Sequence, residues 1–418
     1  MFVCYFTEQP YTAHRDADAG VRHEFDHPAR ALGANILLHS NRFFDPVVGA
    51  QLYRERLVEY QAVEEAGFDG IMLNEHHNGP LCMQPRCNIM AAMLAVATKR
   101  VKLVQLGNPL PLWENPVQLA EETSMIDMVS GGRLVAGIVR GGGTEQLANN
   151  VNPAFNRDRF QEAHDLLVKA WTEPGPWRWE GEHYQFRVVN PWSTPLQKPH
   201  PRVFVPGTAS KETVEWSARQ GYPFVSLSTT VEQTKMIWKL YDQVAAEQGY
   251  EAGPPYRGYL MKCQVAETEA KAVAQAREFM WMSGEFAGNA HPVWTTPAGY
   301  SSWEARKARI PTGPIPSREA MFEKQRATNT IVAGDPDQVV ASIARWLEET
   351  RPSMLMMWMN DGRMNHEESL AAIRLFGKEV LPRIKAIGDE LGLSDPFQAG
   401  TPVSVRARQG AAAPALVG

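Results

Sequence analysis

Short apolar segments alternate with longer segments of helical periodicity along most of this chain. The short segments predict β-strands buried on both faces, because their apolar residues run together without strict polar alternation. Between them, apolar residues recur three or four positions apart, which predicts helices such as 231–249, 335–350 and 366–387. The predicted strands are residues 2–6, 70–74, 101–106, 134–139, 203–205, 224–227, 259–265 and 353–359.

Eight strands that alternate with helices indicate parallel β/α units, and the absence of an evident edge strand favours a closed (β/α)8 barrel over an open doubly wound sheet. We predict a single barrel domain over residues 1–393 and a disordered tail over 394–418. Insertions near the rim formed by the carboxyl ends of the strands are predicted at residues 7–32, 174–200 and 284–330. Functional side chains should gather at that rim.

Composition narrows the possible partners. The 418 residues are 44% hydrophobic and 21% charged, which is typical of a soluble globular protein. A formal charge of −5 gives no basic field for nucleic acid. The four cysteines lack the spacing of a disulfide scaffold, and no secretory signal is evident, which predicts a cytoplasmic protein. No run approaches the roughly 18 apolar residues that a membrane span requires, so no span is predicted.

The stretch GFDGIMLNEHHNG, residues 67–79, is the richest in candidate chemistry. Its apolar centre predicts a strand that ends at Glu75, His76 and His77. Adjacent strand side chains point to opposite faces, so at most one imidazole leans into a central pocket while the other supports it. A hydrogen-bonded strand terminus without a function is the alternative. Metal binding is not expected, because the chain has no H-E-x-x-H or CxxC pattern.

A second candidate site combines the PGTAS loop, residues 206–210, with Arg140. The loop joins a strand to a helix N-terminus, where free N–H groups, the helix dipole and two hydroxyls suit a phosphate. An ordinary N-cap is the alternative reading of the loop. A guanidinium at the end of another strand favours the anion site. The glycines at 141–143 either allow close approach of a planar ligand or relax a turn.

Four motifs in this order resemble the bacterial luciferase-like family of flavin-dependent monooxygenases: FDGIMLNEHH, LGNPLPLWENPVQLAEETSMIDMVSGGRLVAGIVRGGG, VFVPGTASKETVEWSARQG and HEESLAAIRLFGKEVLP. The resemblance spans about residues 36–387. It implies a (β/α)8 barrel that uses reduced FMN, delivered by a separate NAD(P)H-dependent flavin reductase, and O2 to oxygenate a small organic substrate through a flavin C4a-peroxide. Two alternatives stay open, namely a dehydrogenase that uses the deazaflavin F420 and a flavin-binding protein without turnover.

The same resemblance assigns roles to individual residues and implies a homodimer. His76 matches the active-site histidine beside the reactive edge of the flavin, and Glu75 and His77 match its supporting neighbours. Gly107 and Asn108 match the segment against the flavin ring. The positions that match the phosphate site are Arg140, Gly207, Thr208, Ala209 and Ser210.

Overall fold

The computed structural model describes residues 1–11, 13, 41–208, 210–279, 296–303, 307, 318–397 and 404. Most of the insertion predicted at residues 7–32, much of the one at 284–330, and most of the tail from residue 394 lie outside the described residues. The insertion at residues 174–200 is described throughout.

Eight parallel strands close into a barrel, in the spatial order β1, β2, β3, β5, β8, β9, β10, β12 and back to β1. This arrangement confirms the (β/α)8 prediction. Side chains alternate along each strand: Cys4 and Phe6 pack inside the barrel, whereas Val3 and Tyr5 pack against the surrounding helices. The bounds are β1 Phe2–Phe6, β2 Gly70–Leu73, β3 Lys102–Gln105, β4 Asn108–Pro109, β5 Leu134–Val139, β6 Trp177–Glu180, β7 Gln185–Val189, β8 Arg202–Gly207, β9 Phe224–Leu227, β10 Arg257–Val265, β11 Ile331–Gly334 and β12 Met354–Trp358.

Helices cover the outside of the barrel, and several begin at side-chain caps such as Asp45, Asn115 and Asp335. Among the described helices, none is both long enough and apolar enough to cross a membrane. The bounds are α1 Pro46–Glu65, α2 Cys87–Ala97, α3 Pro116–Val129, α4 Gly143–Ala148, α5 Asn156–Thr172, α6 Lys211–Gln220, α7 Val231–Glu247, α8 Glu269–Ala276, α9 Arg318–Ala327, α10 Pro336–Thr350, α11 His366–Leu375 and α12 Leu381–Glu390.

Three features differ from the sequence prediction. The two-residue strand β4 pairs with the end of β5, and β11 pairs with the second half of β10 beyond its contact with β9. The two-residue β4 is too short for a pattern of its own, and β11 directly follows residues 284–330, which were interpreted as an insertion. Residues 284–330 were predicted to be an irregular insertion. Within them, α9 is a regular helix, so the prediction of irregular structure is wrong for Arg318–Ala327.

Arg133, immediately before β5, links neighbouring segments of the chain at the end of the barrel opposite the rim. Its buried guanidinium donates hydrogen bonds to the carbonyls of Ala95, Thr98, Val101 and Ser130. These bonds satisfy chain carbonyls between α2 and β3 and after α3, where backbone groups would otherwise be buried without partners.

Phe397 also closes that end of the barrel. Its ring centroid lies 4.8 Å from Phe2 and 5.8 Å from Phe204. The aromatic side chain of Phe397 completes the packing below the barrel interior. Disorder was predicted from residue 394 onward, and that prediction is wrong at Phe397.

Candidate functional site

A cavity of about 390 Å³ opens at the carboxyl ends of the barrel strands, a size typical of small-molecule sites. Seven residues singled out from the sequence line it, and they come from or directly follow strands β2, β3, β5 and β8. Strand ends far apart in the chain therefore meet at one rim, as the fold requires. The seven are Glu75, His76, Gly107, Arg140, Gly207, Thr208 and Ser210.

Two of the predicted site residues do not line the cavity. His77 turns to Glu75, with 3.2 Å between Nε2 and Oε1. Asn108 is buried behind the wall, where its Nδ2 donates to Gln105 Oε1 at 2.9 Å. These side chains make their polar contacts behind the wall, so the structure brings only one residue of each predicted pair, His76 and Gly107, to the cavity. Ala209 lies outside the described residues.

His76 is bracketed by two carboxylates that the sequence motifs did not include. Its Nδ1 lies 2.6 Å from Glu145 Oε1, and its Nε2 lies 3.6 Å from Glu8 Oε2. Glu8 follows β1, and Glu145 lies in the first turn of α4, where it also accepts the Gly142 N–H at 2.8 Å. About a third of the His76 side chain, 34%, remains exposed to the cavity.

The two carboxylates determine the protonation of His76. Burial alone lowers the pKa of the imidazole, but Glu145, with Glu8 and Glu75, outweighs burial and raises that pKa to about 9. In return, although burial raises the pKa of Glu145, the imidazolium and the Gly142 N–H bring it below its usual range. Burial raises the pKa of Glu8, which His76 partly offsets. At neutral pH, His76 is therefore an imidazolium and a potential proton donor.

Glu75 supports the site from behind. Its buried carboxylate accepts the backbone N–H of Cys87 at 3.1 Å, which caps the start of α2, and it pairs with Arg86 at 3.0 Å. Asn74, the preceding residue, donates through its amide to Glu8. The segment Asn74–Glu75 thus orients the groups around His76 and joins β2 to the next helix.

Positive charge gathers at another wall of the cavity, at the end of β5 and the start of α5. Arg140 and Arg157 both line it, and Arg140 Nη1 donates to Asn156 Oδ1 at 2.9 Å, which fixes the guanidinium. The hydroxyl-bearing residues Thr208 and Ser210 line the same wall just before α6. Two guanidinium groups and a helix N-terminus form an anion-binding arrangement.

Glu212 shows that this end of the cavity accommodates an anion. Its carboxylate accepts the Ser210 hydroxyl at 2.9 Å and lies 3.7 Å from Arg157 Nη2. The pKa of Glu212 is lowered, first by its own backbone N–H and then, against burial, by Ser210, Arg157 and Arg140. Because the Glu212 side chain is 58% exposed, it can turn outward and leave these donors to a ligand.

A glycine flattens the wall between the imidazole and the guanidinium groups. A Cβ added to Gly107 would lie 2.5 Å from Val139 Cγ1, a distance at which something must move. The strands approach closely here because β4 pairs with β5. A backbone surface without side chains suits the face of a planar ligand.

Sequence reasoning missed several cavity residues. Glu8 and Glu145 belong to no motif, although each follows a predicted strand end directly or after a glycine run. Arg157 stands at the start of a helix without a distinguishing pattern. Lys262 had a signal, because it is the charged residue within the mostly apolar strand YLMKCQV. Among the residues that the structure describes, no group of three or more His, Cys, Asp or Glu side chains is arranged to hold a metal ion.

Residues 37–353 match the profile of a protein family described as luciferase-like monooxygenase. The chain is 30% identical over 174 residues to the oxygenase component of a flavin-dependent trigonelline monooxygenase from Acinetobacter baylyi, which covers 41% of this chain and 48% of that protein. The chain therefore spans about half the length of that relative. It is also 24% identical over 341 residues to the alkanal monooxygenase alpha chain of Photorhabdus laumondii, covering 79% of this chain and 92% of that one.

Solved structures share the fold. The monooxygenase RslO1 from Streptomyces bottropensis superposes with a TM-score of 0.68 at 24% identity, covering 80% of this chain and 94% of the other. The oxygenating constituent of 3,6-diketocamphane monooxygenase from Pseudomonas putida, solved in complex with FMN, gives a TM-score of 0.66 at 19% identity, with coverages of 80% and 94%.

Proposed function

The chain belongs to the luciferase-like monooxygenase family, and from that premise we propose that it uses reduced FMN and O2 to oxygenate a small organic substrate. The observation that carries this proposal is one cavity bounded by the His76 imidazolium on one side and by Arg140 and Arg157 on another. A flavin mononucleotide has a reactive planar ring and an anionic phosphate, and these two walls match its two ends.

The residues present fit FMN. Arg140, Arg157 and the hydroxyls of Thr208 and Ser210 would hold the phosphate, at the position where the Glu212 carboxylate now accepts a hydrogen bond from Ser210. The bare backbone at Gly107 would lie against the isoalloxazine ring. When bound, reduced FMN supplies the electrons that activate O2.

His76 then acts as the proton donor of the site. Its Nδ1 is held by Glu145, so the proton on Nε2 is the one available to an oxygen atom of the reactants. Glu8, whose carboxylate is 3.6 Å from Nε2, stabilises the imidazolium before the transfer. An imidazolium is not a base at neutral pH, which favours oxygenation over the removal of a proton from an alcohol by an F420-dependent dehydrogenase.

Oxygen labelling tests the function. Reduced FMN is supplied by an unrelated NADH-dependent flavin reductase under 18O2 with catalase, and aldehydes, ketones and aromatic metabolites are screened by mass spectrometry. We expect one 18O atom in a product, lost in His76→Ala while FMN affinity stays unchanged. His183→Ala, on the turn between β6 and β7, is the matched control. Reduction of F420 by an alcohol, or FMN binding with no labelled product, would overturn the proposal.

A separate flavin reductase is the proposed source of reduced FMN. The Acinetobacter relative is named as an oxygenase component, which supports a division into two proteins. In the labelling experiment, we expect activity when the reductase is added and none when NADH is provided without it. Turnover with NADH and FMN in its absence would contradict the division.

We further propose a homodimer through α2 and α3. These neighbouring helices expose Ile89 (62%) and Val96 (77%) from α2, and Met125 (56%) and Val129 (59%) from α3. Apolar side chains concentrated on one face typically mark an interaction surface. A second copy of the chain can cover this surface through a two-fold axis, because the same patch then serves both partners.

A further inference from the structure

A buried ammonium group in the cavity has no carboxylate partner among the described residues. Lys262 lines the cavity, yet only 8% of the residue is exposed. Its Nζ donates to Gln325 Oε1 at 3.1 Å and lies 5.1 Å from the ring centroid of Trp358. Both contacts are neutral, and no carboxylate of the described residues lies within ion-pair distance of Nζ. A buried charge without an opposite charge is costly.

The two nearest acids do not neutralise this lysine. Glu8 is engaged by His76 and by the Asn74 amide. Burial, reinforced by Glu8, raises the pKa of Asp361 to about 8, which weakens this carboxyl group as a counter-charge at neutral pH. Burial lowers the pKa of Lys262, while Asp361 and Glu8 act in the opposite direction. An ammonium has three N–H donors, so Lys262 retains donors for a ligand.

The surroundings of Lys262 are apolar and aromatic. Trp358 is its cross-strand neighbour between β10 and β12, and Leu260 and Leu227 line the cavity nearby. In the ring of eight strands, β12 stands four places from β5, so this wall faces Arg140 across the barrel. The anion end of the cavity and the lysine are therefore two separate positive regions.

We propose that Lys262 and Trp358 form the substrate subsite, and that it takes an aromatic carboxylate: the ammonium of Lys262 binds the carboxylate, and the indole with Leu260 packs against the ring. This inference rests on the proposed function, since it assigns Arg140 and Arg157 to the flavin phosphate and leaves the far wall to the substrate. The ion pair formed on binding compensates the buried charge, which gives the site its preference for an anion.

Benzoate and benzamide test the subsite, because they share a ring and differ in charge. Calorimetric titrations are run in phosphate buffer, so that inorganic phosphate competes with benzoate for the anion site at Arg140, and are repeated with FMN bound. In the wild type we expect saturable benzoate binding and about tenfold or more weaker benzamide binding. Lys262→Met should abolish this preference, and Lys262→Arg should retain most of it. Lys239→Met, on the exposed face of α7, is the control and should match the wild type.

The outcomes separate this proposal from the function on which it rests. FMN affinity should stay within about twofold in all three lysine variants, because the phosphate site is across the barrel. Equal binding of benzoate and benzamide to the wild type, or no saturable benzoate binding, overturns the subsite whether or not FMN binds. A Lys262→Met protein that folds, by circular dichroism, and keeps the benzoate preference also overturns it. Failure of FMN to bind, with the benzoate preference intact, counts against the flavin function alone.

Discussion

His76 Nδ1 and Glu145 Oε1 lie 2.6 Å apart, although 69 positions separate the two residues in the chain. The contact joins the end of β2 to the first turn of α4. It makes the acidity of the imidazole depend on a residue of a different loop, so the two side chains are best considered as one titrating pair.

Replacing Glu145 by glutamine should lower the pKa of His76. The amide keeps the size of the side chain but removes the charge, and burial, which lowers the pKa, then dominates. We expect a fall of about one unit or more from the value near 9, measured by NMR titration of the labelled imidazole and assigned by loss of its signal in His76→Gln. Glu349→Gln, at an exposed surface ion pair, is the control. An unchanged titration would contradict the role of Glu145.

Stability should depend on pH through the same pair. The pKa of His76 is about 9 in the folded state and ~6.5 when unfolded, so its stabilisation is complete below pH ~6.5 and is lost as the pH rises through 9. The pKa of Glu145 is lowered by folding, so its contribution is present above pH ~4.5 and is lost in acid.

The free energy of urea unfolding measures this dependence. The difference between wild type and His76→Gln should be about 1 kcal/mol at pH 7, a figure reduced because a third of the side chain is exposed, and should vanish near pH 10. A difference that stays constant or grows from pH 7 to pH 10 would show that the imidazolium does not stabilise the fold.

Arg140→Met should weaken FMN binding but not riboflavin binding, because riboflavin has no phosphate. The loss of charge-assisted hydrogen bonds should cost about 1.5–3 kcal/mol, or about tenfold to a hundredfold in affinity. Flavin fluorescence quenching measures both ligands. Arg157→Met should behave in the same way, and Arg178→Met, 68% exposed on the β6–β7 hairpin, should change neither affinity. Equal losses of affinity for FMN and riboflavin would show that these arginines do not bind the phosphate.

Gly107→Ala should destabilise the protein, since the added Cβ would lie 2.5 Å from Val139 Cγ1. We expect a loss of about 1–3 kcal/mol in the free energy of unfolding. The double variant Gly107→Ala with Val139→Ala should recover most of it, because the second change removes the methyl groups that clash. A double variant no more stable than Gly107→Ala would mean that the strain lies elsewhere.

Charge placed on the exposed face of α2 and α3 should dissociate the proposed dimer. Ile89→Glu or Val129→Glu would bury a carboxylate at the interface, and light scattering after gel filtration should report a monomer at concentrations where the wild type is a dimer. Met236→Glu, at a similarly exposed position of α7, should remain dimeric. A monomeric wild type would refute the interface outright.

Much of the fold could be predicted because each β/α unit has its own local signal. The apolar runs at 2–6, 134–139 and 224–227 match β1, β5 and β9. The two-residue β4 carries too few residues for such a signal, and β11, although as long as β9, adjoins a segment that was interpreted as an irregular insertion.

The site was predicted less completely, for a physical reason. His76 and Arg140 stand in recognisable motifs at strand ends, but Glu8 and Glu145 become partners of His76 only when the barrel closes. A carboxylate in a loop looks the same in sequence whether it faces solvent or a histidine. Asn108 and His77 were assigned to the site from their motifs, yet their contacts with Gln105 and Glu75 hold them away from the cavity.

Strand β5 is flanked by two arginines with opposite tasks. Arg133 at its start gathers the carbonyls that fasten the base of the barrel, whereas Arg140 at its end lines the cavity. Residues at the rim of the barrel can therefore be randomised without changing the contacts that stabilise its opposite end. Variants of lower thermal stability should cluster around Arg133, and variants of altered flavin affinity around Arg140.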